Sequence, residues 1–228
     1  MTSVRTVVFD LDGTLVDTAP DLIKALNFVL DREGLPPIPL LSARNMIGAG
    51  ARRMIERGLE AAGRTASPAD ITRLTGDCID YYAANIADGS RPFEGLEDAL
   101  DDLASRGYQF AVCTNKLEWL SKRLLDQLGL SPRFAAICGA DTFGVSKPDP
   151  VILQQTVARA GGQLASTVMV GDAGPDVGVA RRAGVPVVCV EFGYTDVPVA
   201  DLKPDLLIGH MRDLPAAVES LMARRKSP

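Results

Sequence analysis

The chain has 228 residues, 46% of them hydrophobic and 23% charged, with a formal net charge of −5; this is the make-up of a soluble globular protein with a sizeable core. An acidic balance argues against nucleic acid or an anionic membrane as partner, since both demand a basic face, and no apolar run approaches the roughly 20 residues of a membrane span. Four cysteines (Cys78, Cys113, Cys138, Cys189) form no C-x-x-C pair, so neither a zinc site nor a disulfide frame is implied, and a reduced, cytoplasmic compartment is expected.

The N-terminus has no basic stretch leading into an apolar core, which predicts no signal peptide. Val7-Val8-Phe9 reads as a buried strand, and it runs directly into Asp10-Leu11-Asp12-Gly13-Thr14. From residue 18 to residue 90 no strand is predicted. Helices are expected at 19–33, 41–62 and 68–87, separated by Gly34-Leu35-Pro36-Pro37 and by residues 63–67, with Ser67-Pro68 as a helix start. The apolar spacing of Leu22, Ala25, Leu26, Val29 and Leu30 assigns them to a helical core. An insert of about 70 residues far exceeds an ordinary βα connection, so it is expected to be a small domain of its own, hinged near residues 17–20 and 89–92. From Gly107 onward, strands at 108–113, 134–138, 167–170, 185–190 and 206–208 alternate with helices at 118–128, 150–160, 176–183 and 214–223. That rhythm predicts a parallel sheet covered on both faces. Trp119 is expected to pack where its helix begins, and residues 224–228 to form a frayed, solvated tail. His210 is the only histidine; it anchors neither a Ser-His-Asp triad nor a histidine-rich metal site, and a structural or surface role is expected.

Four polar features fall at strand ends or in the loops that follow strands: Asp10-Leu11-Asp12-Gly13-Thr14, Thr114-Asn115, Lys147-Pro148 and Gly171-Asp172-Ala173-Gly174-Pro175-Asp176. Each alone also reads as a turn, a helix cap or a surface charge. Ligands bind open α/β sheets at strand ends, and paired carboxylates there are costly unless a cation or a proton offsets them.

The order D-x-D-G-T, T-N, K-P, G-D-x-x-x-D resembles the haloacid dehalogenase superfamily of phosphohydrolases. The residues from Asp10 to Leu22, with Ile47-Gly48-Ala49-Gly50 and Thr114-Asn115-Lys116, are similar to the bacterial phosphoglycolate phosphatases. The resemblance implies an α/β fold: a Rossmann-like parallel-sheet core formed by residues 1–17 and 91–228, with an inserted α-helical cap at 18–90. Two departures are visible, Ala173 where serine is frequent and Pro175 where a polar residue is frequent; neither removes a carboxylate.

The resemblance also implies roles. Asp10 is the nucleophile, already ionised at neutral pH given an ordinary carboxyl pKa of about 3.9, and its attack gives an aspartyl-phosphate. Asp12 is general acid and then base. Thr114, Asn115 and Lys147 bind the phosphoryl group. Mg²⁺ sits on the side chains of Asp10 and Asp172 and the main-chain carbonyl of Asp12, with Asp176 as a further acidic group; a hard, oxygen-ligated cation suits the lack of His or Cys ligands. Gly13 is expected to let the backbone approach the phosphate. The loop at 47–52 is expected to face the substrate, with Gly48 and Gly50 exposing backbone N–H groups and Arg44 or Arg52 reading a carboxylate. The alternative is that the glycines only interrupt a helix and the arginines are solvated. The implied activity is hydrolysis of a small phosphate monoester, 2-phosphoglycolate foremost. Near alternatives are a sugar-acid phosphate such as N-acetylmuramic acid 6-phosphate, or a phosphomutase related to β-phosphoglucomutase. Dehalogenation has no use for an acid at Asp12 or for Mg²⁺, and an intact polar constellation argues against a purely binding role.

Overall fold

The computed structural model describes residues 4–195 and 197–226. In chain order the elements are β1 (Arg5–Phe9), β2 (Val16–Asp17), α1 (Ala19–Arg32), α2 (Leu40–Ala43), α3 (Ala51–Ala61), α4 (Pro68–Ala84), β3 (Arg91–Pro92), α5 (Leu96–Ser105), β4 (Tyr108–Cys113), α6 (Glu118–Gln127), β5 (Phe134–Cys138), α7 (Pro150–Arg159), β6 (Thr167–Gly171), α8 (Gly174–Ala183), β7 (Val187–Val190), β8 (Leu206–Ile208) and α9 (Leu214–Lys226).

Six strands form one parallel sheet in the order β5-β4-β1-β6-β7-β8. Its faces follow from the two-residue side-chain period of a strand. Val7, Phe9, Phe110, Val112, Val168 and Val170 point to one apolar cluster, shared with α5, α6 and α9. Val8, Ala111, Cys113, Met169 and Cys189 point to the other, shared with α7 and α8. Burial on both faces explains why the strands read as unbroken apolar runs. β1 lies between β4 and β6, and the chain builds outward from it first on one side and then on the other. This reversal opens a crevice at the carboxyl end of β1, where Asp10 and Asp12 follow.

Between β2 and β3, α1, α3 and α4 pack on one another, and their apolar side chains join the cluster on the first face of the sheet. Ser67 caps α4, accepting from the Asp70 N–H at 3.1 Å, with Pro68 in the first turn. The two connections to the insertion run side by side as the antiparallel pair β2–β3. Buried Asp21 fastens them, its carboxylate accepting from the N–H groups of Gly89 and Ser90 at 2.9 and 2.8 Å and from the Ser90 hydroxyl at 2.6 Å.

Several expectations need correction. The helix expected at 41–62 is two helices, α2 and α3, parted by a 3-10 turn and a loop in which Gly48 and Gly50 take φ of 100° and 87°. Such angles lie outside the α-helix, so the glycines make a loop. The expected strand at 185–190 starts two residues later, and the helix expected at 176 begins at Gly174. α5 was absent from the expected elements, although Leu96, Ala99, Leu100 and Leu103 bury one face at helical spacing. Trp119 is only partly covered where its helix begins, at 45% exposed. The expected frayed tail is helical through Lys226, and the Arg225 guanidinium donates to the Gly184 carbonyl at 3.1 Å; Ser227 and Pro228 lie outside the described residues. His210 is structural: its Nδ1 accepts from the Arg212 N–H at 3.0 Å.

Candidate active site

The carboxyl ends of β1, β4 and β6 bring the four polar features together. The Asp10 N–H donates to the Val170 carbonyl at 2.9 Å, and the Thr114 N–H to the Cys138 carbonyl at 3.1 Å. The last peptides of β1 and β4 are thereby pinned to their neighbours. Asp10, Asp12, Thr114, Lys147, Asp172 and Asp176 are all buried.

Carboxylate oxygens of Asp10, Asp172 and Asp176 lie within 4.8 Å of one another. Lys147 Nζ is 2.8 Å from Asp10 Oδ1 and 2.6 Å from Asp176 Oδ1. The one ammonium thus faces two carboxylates at once. Burial, with Asp176 and Asp12 adding to it against the pull of Lys147, lifts Asp10 to a pKa of about 6. Burial and the charges of Asp176 and Asp10 lift Asp172 further. Burial by itself would lower Lys147; Asp10 and Asp176 outweigh it and hold the ammonium charged. Three clustered carboxylates against one lysine make an all-oxygen donor set that fits a hard divalent cation.

The loop after β6 shows what Ala173 and Pro175 do. Asp176 turns back over the start of α8, and its Oδ2 accepts from the N–H groups of Asp172 and Ala173, both at 3.1 Å. Alanine lacks the oxygen that would complete a reciprocal capping pair. Pro175 sits in the first turn, where no N–H is required. Asp172 is held by the Thr14 hydroxyl at 2.9 Å and by the Tyr194 N–H at 2.6 Å. Gly13, at φ 84°, is also required sterically: a Cβ there would stand 2.6 Å from Asp172 Oδ2 and 2.9 Å from the Tyr194 ring. Gly193 is under the same constraint, with a Cβ position 2.2 Å from that of Asp172.

Asn115 braces loops. Its Oδ1 accepts from the Lys147 N–H at 2.8 Å, and its amide donates to the Gly48 carbonyl at 3.2 Å and the Lys147 carbonyl at 3.3 Å. Through it the glycine loop of the insertion touches the core. Thr114 Oγ1 accepts from the Lys116 N–H at 3.2 Å, so its own proton is free to be donated.

A cavity of 310 Å³ opens over these groups, between the sheet edge and the insertion. Asp10, Asp12, Thr114, Asn115, Gly48, Gly50 and Arg52 line it; Arg44 does not. Arg44 instead pairs with Asp17 at 2.8 Å and lies over the Tyr194 ring. Arg52 stands at the rim, half exposed, against Glu56 at 3.2 Å. Three further residues matter to which the sequence reading assigned no role, Lys116 among them although it belongs to the quoted Thr114-Asn115-Lys116 stretch. Lys116 grips both oxygens of Asp12, at 2.9 and 3.0 Å, and stacks on the ring of Tyr82 from α4. Tyr194 supports Asp172 and also bonds Asp17 and the Ala19 N–H through its hydroxyl. The available signals were a lysine three residues beyond a buried strand, and an aromatic just past the end of β7 on the ligand-facing edge.

A family model described as haloacid dehalogenase-like hydrolase matches residues 7–190. The chain belongs to the haloacid dehalogenase-like hydrolases. Among related proteins of this family, the phosphoglycolate phosphatase of Caulobacter vibrioides is 48% identical over 223 residues, covering 98% of this chain and 94% of that protein. The phosphoglycolate phosphatase of Mesorhizobium japonicum is 43% identical, covering 96% of each. A crystal structure of a predicted phosphoglycolate phosphatase from Haemophilus somnus superposes with a TM-score of 0.86 at 27% identity, over 95% of this chain and 99% of that one. The β-phosphoglucomutase of Clostridium difficile shares the fold, with a TM-score of 0.79 at 20% identity over 97% and 98% of the two chains. As a haloacid dehalogenase-like hydrolase the chain is an enzyme, and its parallel α/β sheet is the expected architecture.

Proposed function

We propose that this hydrolase is a Mg²⁺-dependent phosphatase for small phosphate monoesters, with 2-phosphoglycolate as its substrate. The observation that carries the reading is the convergence of Asp10, Asp12, Thr114, Lys147 and Asp172 at the switch point of the sheet, beneath a cavity roofed by the insertion. The names of the relatives that match nearly the whole chain support the choice of substrate.

In this reading Asp10 supplies the carboxylate oxygen that attacks phosphorus, giving an aspartyl-phosphate that water then cleaves. Asp12 protonates the departing oxygen and later takes the proton of the incoming water. Lys147, fixed between Asp10 and Asp176, neutralises the transferring phosphoryl, and the Thr114 hydroxyl donates to its oxygens. Asn115 acts by holding the Lys147 loop and the Gly48 loop together. The carboxylates of Asp10 and Asp172 and the main-chain carbonyl of Asp12 would hold Mg²⁺, which when bound offsets the repulsion between anionic nucleophile and phosphate. The insertion, residues 18–90, acts as a cap on the core of residues 1–17 and 91–228 and excludes bulk water from the first step. Four buried, free cysteines fit a reducing, cytoplasmic setting.

The test is phosphate release from 2-phosphoglycolate, sugar phosphates and sugar-acid phosphates, with Mg²⁺ or EDTA, by the wild type and Asp10→Asn. The expected result is Mg²⁺-dependent release from 2-phosphoglycolate, lowered at least about 10³-fold by the substitution. Preferred turnover of a sugar-acid phosphate would move the substrate and keep the chemistry. Little release together with a need for a bisphosphate primer would point to a mutase.

A further inference from the structure

Lys116 is a buried cation in the wall of the cavity, and the reading above gives it nothing to do. It is 8% exposed. Two of its three N–H groups are accounted for by Asp12, at 2.9 and 3.0 Å, and its ammonium lies 4.4 Å from the centre of the Tyr82 ring. Tyr82, also buried in that wall, sets its hydroxyl beside the same ammonium. Beside them the wall is mostly apolar, from Leu22, Met54, Cys78 and Ile79, with Thr75 on the same helix as Tyr82.

A substrate with a second anionic group must find positive charge at the end away from phosphorus, in a site that already holds Asp10, Asp12, Asp172 and Asp176. Lys147 is committed to Asp10 and Asp176. Arg44 is outside the cavity on Asp17, and Arg52 is half exposed at its rim. Lys116 is the remaining cation of the wall, and it is pre-positioned beside the carboxylate that meets the leaving oxygen. In 2-phosphoglycolate the carboxylate carbon is two bonds from that oxygen. We infer that Lys116, with the Tyr82 hydroxyl beside it, is the specificity determinant that reads the carboxylate of the substrate. It bridges that carboxylate and Asp12, and an ester with a neutral tail makes no use of its charge. A charge-assisted contact inside a low-dielectric cavity is the kind that discriminates strongly.

The inference rests on the phosphatase reading, and its test separates the two. With Mg²⁺ present, kcat and KM are measured for 2-phosphoglycolate and for ethyl phosphate, which carries a methyl group in place of the carboxylate, in wild type, Lys116→Met and Lys116→Arg. The wild type should prefer 2-phosphoglycolate. Lys116→Met should lower the ratio of the two kcat/KM values at least tenfold, chiefly through KM for 2-phosphoglycolate, and Lys116→Arg should restore part of it. If both substrates lose the same factor in Lys116→Met, the lysine acts only through Asp12 and the inference is overturned while the phosphatase reading stands. A wild type that handles both esters equally well overturns the substrate reading and the inference with it. Circular dichroism checks that the variants fold; if Lys116→Met does not, Lys116→Gln carries the same comparison.

Discussion

A single missing methyl group decides the geometry of the acidic cluster. Gly13 holds a left-handed backbone between Asp12 and Thr14, and the space its side chain would take belongs to the Asp172 carboxylate and the Tyr194 ring. Gly13→Ala therefore faces backbone strain and a contact that neither neighbour can yield cheaply, since Asp172 is itself held by Thr14 and Tyr194. The expected outcome is a fall in kcat/KM of at least about a hundredfold and a loss of about 1–3 kcal/mol in urea unfolding. A variant within threefold of wild type would show that the packing around Asp172 is not needed for catalysis. At this scale the sequence was legible where chemistry and position coincide. Asp10, Asp12, Thr114, Lys147 and Asp172 follow strands whose apolar runs announce them. Arg44 and Lys116 were not legible, because which cation faces a cavity depends on side-chain direction across the interface between insertion and core. Arg44 turns to Asp17, and Lys116 turns to Asp12.

At the scale of elements, the doubly buried strands and the capped helices could be read directly, whereas the 41–62 segment could not. The helix is broken by a 3-10 turn at Arg44–Met46, an extended Ile47 and the positive φ of Gly48 and Gly50. Glycine permits that conformation without requiring it, so the glycines alone did not mark the break in the sequence. α5 has the opposite history: four buried residues at helical spacing follow shortly after the expected hinge at 89–92 and belong to no expected element. The paired links β2 and β3 are two residues each, too short to carry an alternation signal, and they depend on Asp21 to stay together. Asp21→Ala removes three hydrogen bonds to a buried carboxylate and strands the N–H groups of Gly89 and Ser90. A loss of about 3 kcal/mol is expected in urea unfolding; a change below about 0.5 kcal/mol would mean that the β2–β3 pairing suffices without it.

For the molecule as a whole, the buried charge of the site is unbalanced. Asp10, Asp172 and Asp176 face one another around Lys147, and burial has raised Asp10 and Asp172. A cation that binds only the folded chain stabilises it by RT ln(1 + [L]/Kd), about 2.7 kcal/mol at a hundredfold excess over Kd. Thermal unfolding should therefore move upward on adding Mg²⁺ and return on adding EDTA, and Asp172→Asn should lose most of the shift. An unchanged midpoint in the wild type would count against a cation in this cluster. Tyr194 gives this binding a longer reach. Its N–H holds Asp172, its hydroxyl holds Asp17 and the first residue of α1, and the Arg44 guanidinium lies on its ring. One side chain thus belongs at once to the cation cluster and to the root of the insertion. Linkage makes such sharing reciprocal: if the insertion tilts on its root, whatever factor cation binding imposes on the tilt, the tilt imposes on cation affinity. Opening the roof and loosening the ion would then be one equilibrium observed from two ends.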